Sequence, residues 1–124
     1  MENHYKNEDV EIYIQEGILH VNYFTNVLTM EIVELGIKQR MDMSAGKSYP
    51  MVADIRNIKT ISLKVRSYLA RPENSQLLSA GAMIVKNTFQ ETIGNIFIFL
   101  NRPAVPARLF TDKKEAIKWL ENYK

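Results

Sequence analysis

Residues that could perform acid–base or metal chemistry are few in this chain of 124 residues. Cysteine is absent, which excludes disulfides, thiol nucleophiles and cysteine-ligated zinc or iron–sulfur sites. The two histidines, His4 and His20, lack metal-ligand spacing to each other or to a pair of carboxylates, so surface or packing roles are favoured. The chain also has no glycine-rich phosphate loop and no serine in a nucleophile-elbow context. We therefore expect a protein that is not an enzyme and that uses no metal or cofactor.

A basic cluster is the main binding feature of the sequence, and it brackets a predicted loop and helix start. Together with helix amide donors near Ser62, its cations could hold a phosphate or a carboxylate of a partner. The alternative is a solvated face whose charge is balanced by Asp54 and Glu73. The members of the cluster are Arg56, Lys59, Lys64, Arg66 and Arg71.

The overall charge argues against a nucleic-acid partner. Sixteen basic and fourteen acidic residues leave a net charge of only +2. Apart from Tyr68, the basic cluster has no interleaved aromatic side chains that could stack on bases. The longest apolar run, residues 96–100, is far shorter than the roughly 20 residues that span a bilayer. The polar first ten residues do not resemble a secretory signal, so we expect no membrane span and a cytoplasmic location.

The first half of the chain must position these cations. Apolar and polar residues alternate over Val10–Gln15 and Ile18–Tyr23, on either side of a Gly-containing pair, which predicts a β-hairpin. Apolar residues then recur every three or four positions over residues 30–41, which predicts an amphipathic helix. A short apolar run at residues 49–55, bounded by turn signals, predicts a buried strand.

The second half continues the alternation of helices and strands. Ser62 is a predicted N-cap of a short helix through Ala70, and Pro72 can open a further turn. The apolar residues 80–85 predict another buried strand. Prolines push the predicted strand at residues 105–110 toward a sheet edge, and Asp112 caps a final helix.

A helix is also predicted between these last two strands. Thr88 and Glu91 have the form of a capping box at its start. Its residues 96–100 are apolar on more than one side, so it must be buried on two sides. Packing between the sheet and a neighbouring helix is one explanation, and a homodimer contact or a groove for an apolar ligand are the others. The side chains that would form the homodimer contact or line the groove are Phe89, Ile93, Phe97 and Leu100.

The element order ββαβαβαβα predicts an α/β fold with a mixed five-stranded sheet. An N-terminal hairpin is followed by βα units, with about four helices, and the later strands run parallel through right-handed crossovers. Residues 1–8 are expected to form a flexible leader, and residues 9–124 a single domain. Ligands of such sheets lie beyond the carboxyl ends of the parallel strands, which selects the loops at residues 54–62 and 86–88.

This order resembles the STAS/anti-anti-sigma-like superfamily. The resemblance is carried by YPMVAD at residues 49–54, by the loop at 55–62, by PARLFTD at 106–112 and by EAIKWL at 115–120. More closely, the chain is similar to the small bacterial STAS/SEC14-like proteins of that group, from about residue 9 to residue 123. The resemblance implies a module that is not an enzyme and that binds a protein partner or, in some branches, a nucleotide or an apolar small molecule.

The resemblance also implies a regulatory loop. In anti-anti-sigma factors, an aspartate ending the third strand leads to an acidic residue, a phosphorylatable serine and a glycine at the start of the second helix. Counted from Asp54, Lys59 stands at the acidic position and Thr60 at the acceptor position, while Ser62 lies two places further on. The glycine is absent. A phosphate on Thr60 or Ser62 would meet helix amides and Lys59, Lys64 or Arg56, so we expect it to order the loop.

We therefore expect a regulatory or scaffolding module that binds a protein partner through the loop and helix start after the third strand. The alternative is a carrier or sensor of an apolar or amphipathic small molecule, in the groove described above. We would expect an enzyme only if the fold brings Asp54, His20 and Thr88 together in one pocket. The residues expected to bind the partner are Asp54, Arg56, Lys59, Thr60, Ser62 and Arg66.

Overall fold

A computed structural model describes residues 3–86 and 105–124, and strands and helices alternate along these residues. The strands are β1 (His4–Lys6), β2 (Val10–Gln15), β3 (Ile18–Tyr23), β4 (Val27–Leu28), β5 (Tyr49–Asp54), β6 (Thr60–Ile61), β7 (Leu78–Ile84) and β8 (Ala107–Phe110). The helices are α1 (Met30–Ser44), α2 (Leu63–Leu69) and α3 (Lys113–Leu120), with a 3₁₀ turn at Pro72–Ser75 and another at Glu121–Tyr123.

A six-stranded mixed sheet, in the order β1-β2-β3-β5-β7-β8, forms the centre of the fold. β1, β2 and β3 pair antiparallel, whereas β3, β5, β7 and β8 all pair parallel. The predicted hairpin and the parallel run of later strands are confirmed. β8 lies at the edge of the sheet, as its prolines predict.

The sheet has six strands rather than the five predicted, because part of the expected leader is a strand. β1 pairs with β2, and His4 lies opposite Tyr13. Asn7 makes this turn possible, since its side-chain oxygen accepts the amides of Asp9 and Val10 at 2.7 and 2.8 Å. Tyr5 then packs against the core cluster on one sheet face. The sequence does not predict β1, because three residues are too few to show an alternation of apolar and polar side chains.

A second, two-stranded parallel sheet joins β4 to β6, and the sequence analysis did not predict it. The backbone carbonyl of Asn26 accepts the amides of Lys59 and Thr60 at 2.7 and 3.1 Å. Strands of two residues carry no periodicity, so only their tertiary contact defines them. This pairing fixes the loop after β5 against the segment that follows β3.

Helices cover both faces of the large sheet. Val52 faces Ala116 and Leu120 of α3, in one buried cluster. The next residue, Ala53, faces the opposite cluster, on the side to which Met43 of α1 also belongs. This alternation follows from the period of two along a strand. A third cluster joins α1 to α2 around Val33 and Val65.

Side-chain caps begin the helices where the sequence places them. Ser62 accepts the amide of Val65 at 3.1 Å, and Asp112 accepts that of Lys114 at 2.9 Å. The described residues hold three helices against the four or so predicted. The helix predicted from Thr88 onward, with Phe89, Ile93, Phe97 and Leu100, lies outside the described residues, so the groove and dimer contact stay predictions. Within residues 3–86 and 105–124, no helix is long and apolar enough to cross a membrane.

A buried arginine ties α1 to the 3₁₀ turn at Pro72–Ser75. Arg40 is only 3% exposed. Its guanidinium donates to the carbonyl oxygens of Asn74 and Gln76 at 2.7 and 2.8 Å. Burial lowers the pKa of Arg40, although the nearby Tyr23 opposes this shift. These two hydrogen bonds fix the position of the segment that leads into β7.

Candidate functional site

An ion pair marks the carboxyl end of β5, where the sequence predicts a site. The Arg56 guanidinium donates through Nε and Nη2 to the two carboxylate oxygens of Asp54, at 3.0 and 2.6 Å. The Arg56 backbone amide also donates to Asp54, at 3.1 Å. A bidentate pair of this kind orients both groups. Asp54 is therefore held inside the loop rather than presented to a partner.

Electrostatics at this pair favour the ionised state of both groups. Burial opposes ionisation of Asp54, but the hydrogen bonds and charge of Arg56, helped by Lys113, outweigh it and keep the pKa of Asp54 below its ordinary value. The hydrogen bond to Asp54 raises the pKa of the Arg56 guanidinium. A carboxyl group so strongly held in its charged form is a poor general acid.

Three further predicted site residues, Lys59, Thr60 and Ser62, lie in or beside the two-stranded sheet and at the N-cap of α2. Lys59 precedes β6, and its side chain is exposed. Thr60 pairs with Val27 across β6 and β4 and is also exposed. Ser62 uses its hydroxyl oxygen as the N-cap of α2. The structure thus brings these three residues together on one surface, separate in role from the ion pair at Asp54.

Arg66, the last predicted site residue, turns partly inward. It lies on α2 and is half-buried, and its Nε is buried with no hydrogen-bond partner among the described residues. Arg71 lies beyond α2 and is exposed, and its guanidinium stands 5.3 Å from the centre of the Tyr68 ring. Arg66 is thus less exposed than Lys59 and Lys64, whereas Arg71 contacts an aromatic ring of the chain itself.

Two exposed aliphatic side chains complete this surface, and the sequence analysis missed both. Leu63, the first residue of α2, is 65% exposed, and Val27 in β4 is 49% exposed. We call Val27, Lys59, Thr60, Leu63 and Lys64 the β6–α2 surface. Leu63 had a signal that helical geometry reveals: it lies two residues, or about 200°, from the buried Val65 and so points away from the core. Val27 had none, because β4 has only two residues.

His20 does not join a catalytic group. It lies on β3 opposite Val52, two register positions away from the pairing of Asn22 with Asp54. Its ring stacks on Tyr13 with centroids 4.6 Å apart and an interplanar angle of 6°. Burial, helped by the charge of Lys113, lowers its pKa to about 4, so the ring is neutral at pH 7. Its Nδ1 is buried and has no hydrogen-bond partner among the described residues.

The remaining candidates for metal or acid–base chemistry do not converge either. His4, at the outer strand of the sheet, places its Nε2 2.8 Å from Oε2 of Glu11. In the parts of the chain that the structure describes, no three His, Asp or Glu side chains are grouped so that they could hold a metal ion. The third member of the catalytic alternative, Thr88, lies outside those parts.

A shallow depression lies beside the ion pair, at the start of α3. It has a volume of about 640 Å³, and Arg56, Asp112, Lys113 and Lys114 line it together with Thr111 and Ile117. Arg56 is paired with Asp54, and the Asp112 side chain caps α3.

The fold is shared with a solved structure. That structure is an uncharacterized protein of the DUF3478 family with a SpoIIAA-like fold, from Shewanella loihica PV-4. The two chains superpose with a TM-score of 0.69 at 19% sequence identity, over 90% of this chain and 91% of the other. The STAS-like fold that the sequence resemblance implied is therefore confirmed, because the SpoIIAA-like fold is of this type. At this identity the similarity concerns the fold alone.

Sequence comparison supplies the family. No curated protein matches the chain. A family model matches residues 12–124, from the middle of β2 to the last residue. The match thus covers the strands from β3 to β8, all three described helices and the whole β6–α2 surface. On this evidence the chain belongs to the family described as Domain of unknown function (DUF7793).

Proposed function

We propose that the protein is a regulatory or scaffolding module that is not an enzyme and that binds a protein partner through the β6–α2 surface. The observation that carries this proposal is the exposure of Leu63, at 65%, directly after the cap of a helix whose other aliphatic residues are buried or half-buried. An exposed leucine alone is common on protein surfaces. Here the exposed Val27 accompanies it, and polar side chains such as those of the two exposed lysines are typical of the rim of an interface.

The backbone beneath this surface supports binding because it is well held. Asn26 accepts two amides from the β6 segment, and Asn57 donates its side-chain amide to the Tyr23 carbonyl at 3.2 Å. The outward amide and carbonyl of Val27 are both bonded to the hydroxyl of Thr25, at 3.3 and 3.0 Å. A surface held in this way needs little ordering when a partner binds.

Phosphorylation is a second part of the proposal. Thr60 presents an exposed side chain, whereas the Ser62 hydroxyl already accepts the Val65 amide. A phosphate would add nearly two negative charges between Lys59 and Lys64 and would be drawn to both. Intact mass of the protein from its native host under several growth conditions tests this. Persistent absence of an added phosphate would contradict it.

Affinity capture tests the proposal as a whole. The full chain would be immobilised and exposed to lysate of the source organism, in parallel with the Leu63→Ser variant and with Lys118→Glu as a control. Lys118 is exposed on α3, on the opposite face of the sheet. We expect a protein that is retained by the wild type and by the control, lost with Leu63→Ser, and bound directly when purified. Equal retention by all three proteins would refute the proposed surface.

A further inference from the structure

The charge of the β6–α2 surface points to the chemistry of its partner. We propose that this surface binds an acidic segment of a protein, whose carboxylates contact Lys59 and Lys64 while one or two apolar side chains of the segment pack on Val27 and Leu63. This inference rests on the proposed function and specifies its partner.

Charge is unevenly distributed along the chain. Residues 55–72 contain five basic residues and no acidic one, which gives this segment a charge of +5. The whole chain carries +2, so the other residues together carry −3, with eleven basic and fourteen acidic side chains. With the flanking Asp54 and Glu73 the segment still carries +3, so the positive charge of the protein is concentrated in the segment that contains Lys59 and Lys64.

Two cations of this segment have no compensating charge in the part of the chain that the structure describes. Arg56 is neutralised by Asp54, and the guanidinium of Arg71 lies over the Tyr68 ring. Lys59 and Lys64 are exposed, and no ion pair to either is found in the described ranges 3–86 and 105–124. Positive charge without a partner attracts acidic ligands and repels basic ones.

Acidic residues of the chain itself stand near this surface without pairing with it. Glu31 is exposed in the first turn of α1, four residues after Val27. Glu73 is exposed in the 3₁₀ turn that follows α2. Since no ion pair joins either of them to Lys59 or Lys64 within the described chain, a partner's carboxylates would meet both lysines directly.

The size of the surface favours a protein segment over an anionic membrane. Val27 is paired with Thr60, and Leu63 follows Thr60 by three residues, a spacing of about 10 Å at full extension. Surfaces that bind anionic lipid headgroups by charge carry clusters of about four to eight basic residues. Of the five basic residues in 55–72, Arg56 is paired with Asp54, Arg66 is half-buried and Arg71 lies over the Tyr68 ring. Lys59 and Lys64 remain beside two exposed aliphatic side chains, which matches a few residues of a partner chain.

Selection from a peptide library tests the inference. A displayed library of random peptides, about twelve residues long, would be selected on the immobilised full chain and on the Lys59→Glu, Lys64→Glu double variant. Lys59→Arg with Lys64→Arg preserves the charge and serves as the matched control, and Leu63→Ser removes the larger apolar contact. All exchanged side chains are exposed, so the variants should fold, which circular dichroism would verify.

On the wild type we expect enriched peptides with net negative charge and at least one aliphatic or aromatic residue. The charge reversal should weaken the best of them about tenfold, because two surface ion pairs of up to about 1 kcal/mol each are lost. The arginine variant should keep the affinity, and the reversed variant should enrich basic peptides. Binding should also weaken as salt rises.

Three results would overturn the inference. Enrichment without acidic bias that is lost in Leu63→Ser would refute the acidic partner but leave the proposed function standing. The absence of any enrichment that depends on this surface would count against both. Co-sedimentation of the wild type, but not of the charge-reversed variant, with phosphatidylserine vesicles in the absence of acidic peptide enrichment would show that the lysines serve a membrane.

Discussion

Burial of His20 should make this protein less stable at acidic pH. The residue is 6% exposed, its Nδ1 has no hydrogen-bond partner among the described residues, and its pKa in the folded protein is lowered to about 4. In the unfolded chain a histidine has a pKa of about 6.5. Between these two values the unfolded state binds more protons than the folded state, so the free energy of unfolding falls as the pH falls.

The size of the effect follows from the two pKa values. With a folded value of about 4 and an unfolded value of about 6.5, the loss at about pH 5 is about 2 kcal/mol relative to about pH 7.5. The loss is about 3 kcal/mol at about pH 4 and approaches about 3.4 kcal/mol at still lower pH. At about pH 7.5 and above the contribution of His20 is fully present, because the ring is neutral in both states.

Urea unfolding of the wild type and of His20→Phe at about pH 7.5 and about pH 5 measures this effect. Phenylalanine keeps a ring that can stack on Tyr13 but cannot be protonated. Trp119, the single tryptophan, reports unfolding because it packs between Phe110 and Tyr123. Other titrating groups are common to both proteins, so we expect the loss on acidification to be about 2 kcal/mol smaller in the variant. Equal losses in the two proteins would show that His20 is not buried in its neutral form.

Three further substitutions test other parts of the structure. Arg40→Met should lower the free energy of unfolding by about 2–3 kcal/mol, because two charge-assisted hydrogen bonds to the turn before β7 disappear; an unchanged urea midpoint would contradict this. Ser62→Ala should cost about 1 kcal/mol through loss of the α2 cap, and Ser62→Asp should restore most of it, whereas equal stability of both variants would contradict the capping role. Ala45→Gly should raise the thermal midpoint, with a gain of about 1 kcal/mol, because Ala45 ends α1 at a φ of 51°; a lower midpoint would refute the claim of strain.

Much of the fold could be predicted because its signals are local. The alternation in β2 and β3 and the side-chain caps at Ser62 and Asp112 each depend on a few neighbouring residues. The parallel direction of β3, β5 and β7 follows from the helices α1 and α2 between them. The predicted partner-binding residues follow one another along the chain, but the sequence does not show that they divide into an inward ion pair at Asp54 and an outward surface at Lys59.

The parts that were missed depend on contacts between distant segments. β1 is a strand only because Asn7 turns it back onto β2, and β4 exists only through its pairing with β6. The exposure of Val27 depends on that pairing. No pattern along the chain therefore predicts Val27, which is one of the two apolar side chains proposed to contact the partner.

The amino-acid sequence by itself determined the order of the main strands and helices, their caps and the concentration of positive charge in residues 55–72, because each is a property of neighbouring residues. Tertiary structure decided which of those charges reach solvent. Arg56 is paired with Asp54 and Arg66 turns partly inward, whereas Lys59 and Lys64 stay open beside Leu63. The reason is that solvent exposure depends on what packs against a residue, and distant segments supply those contacts.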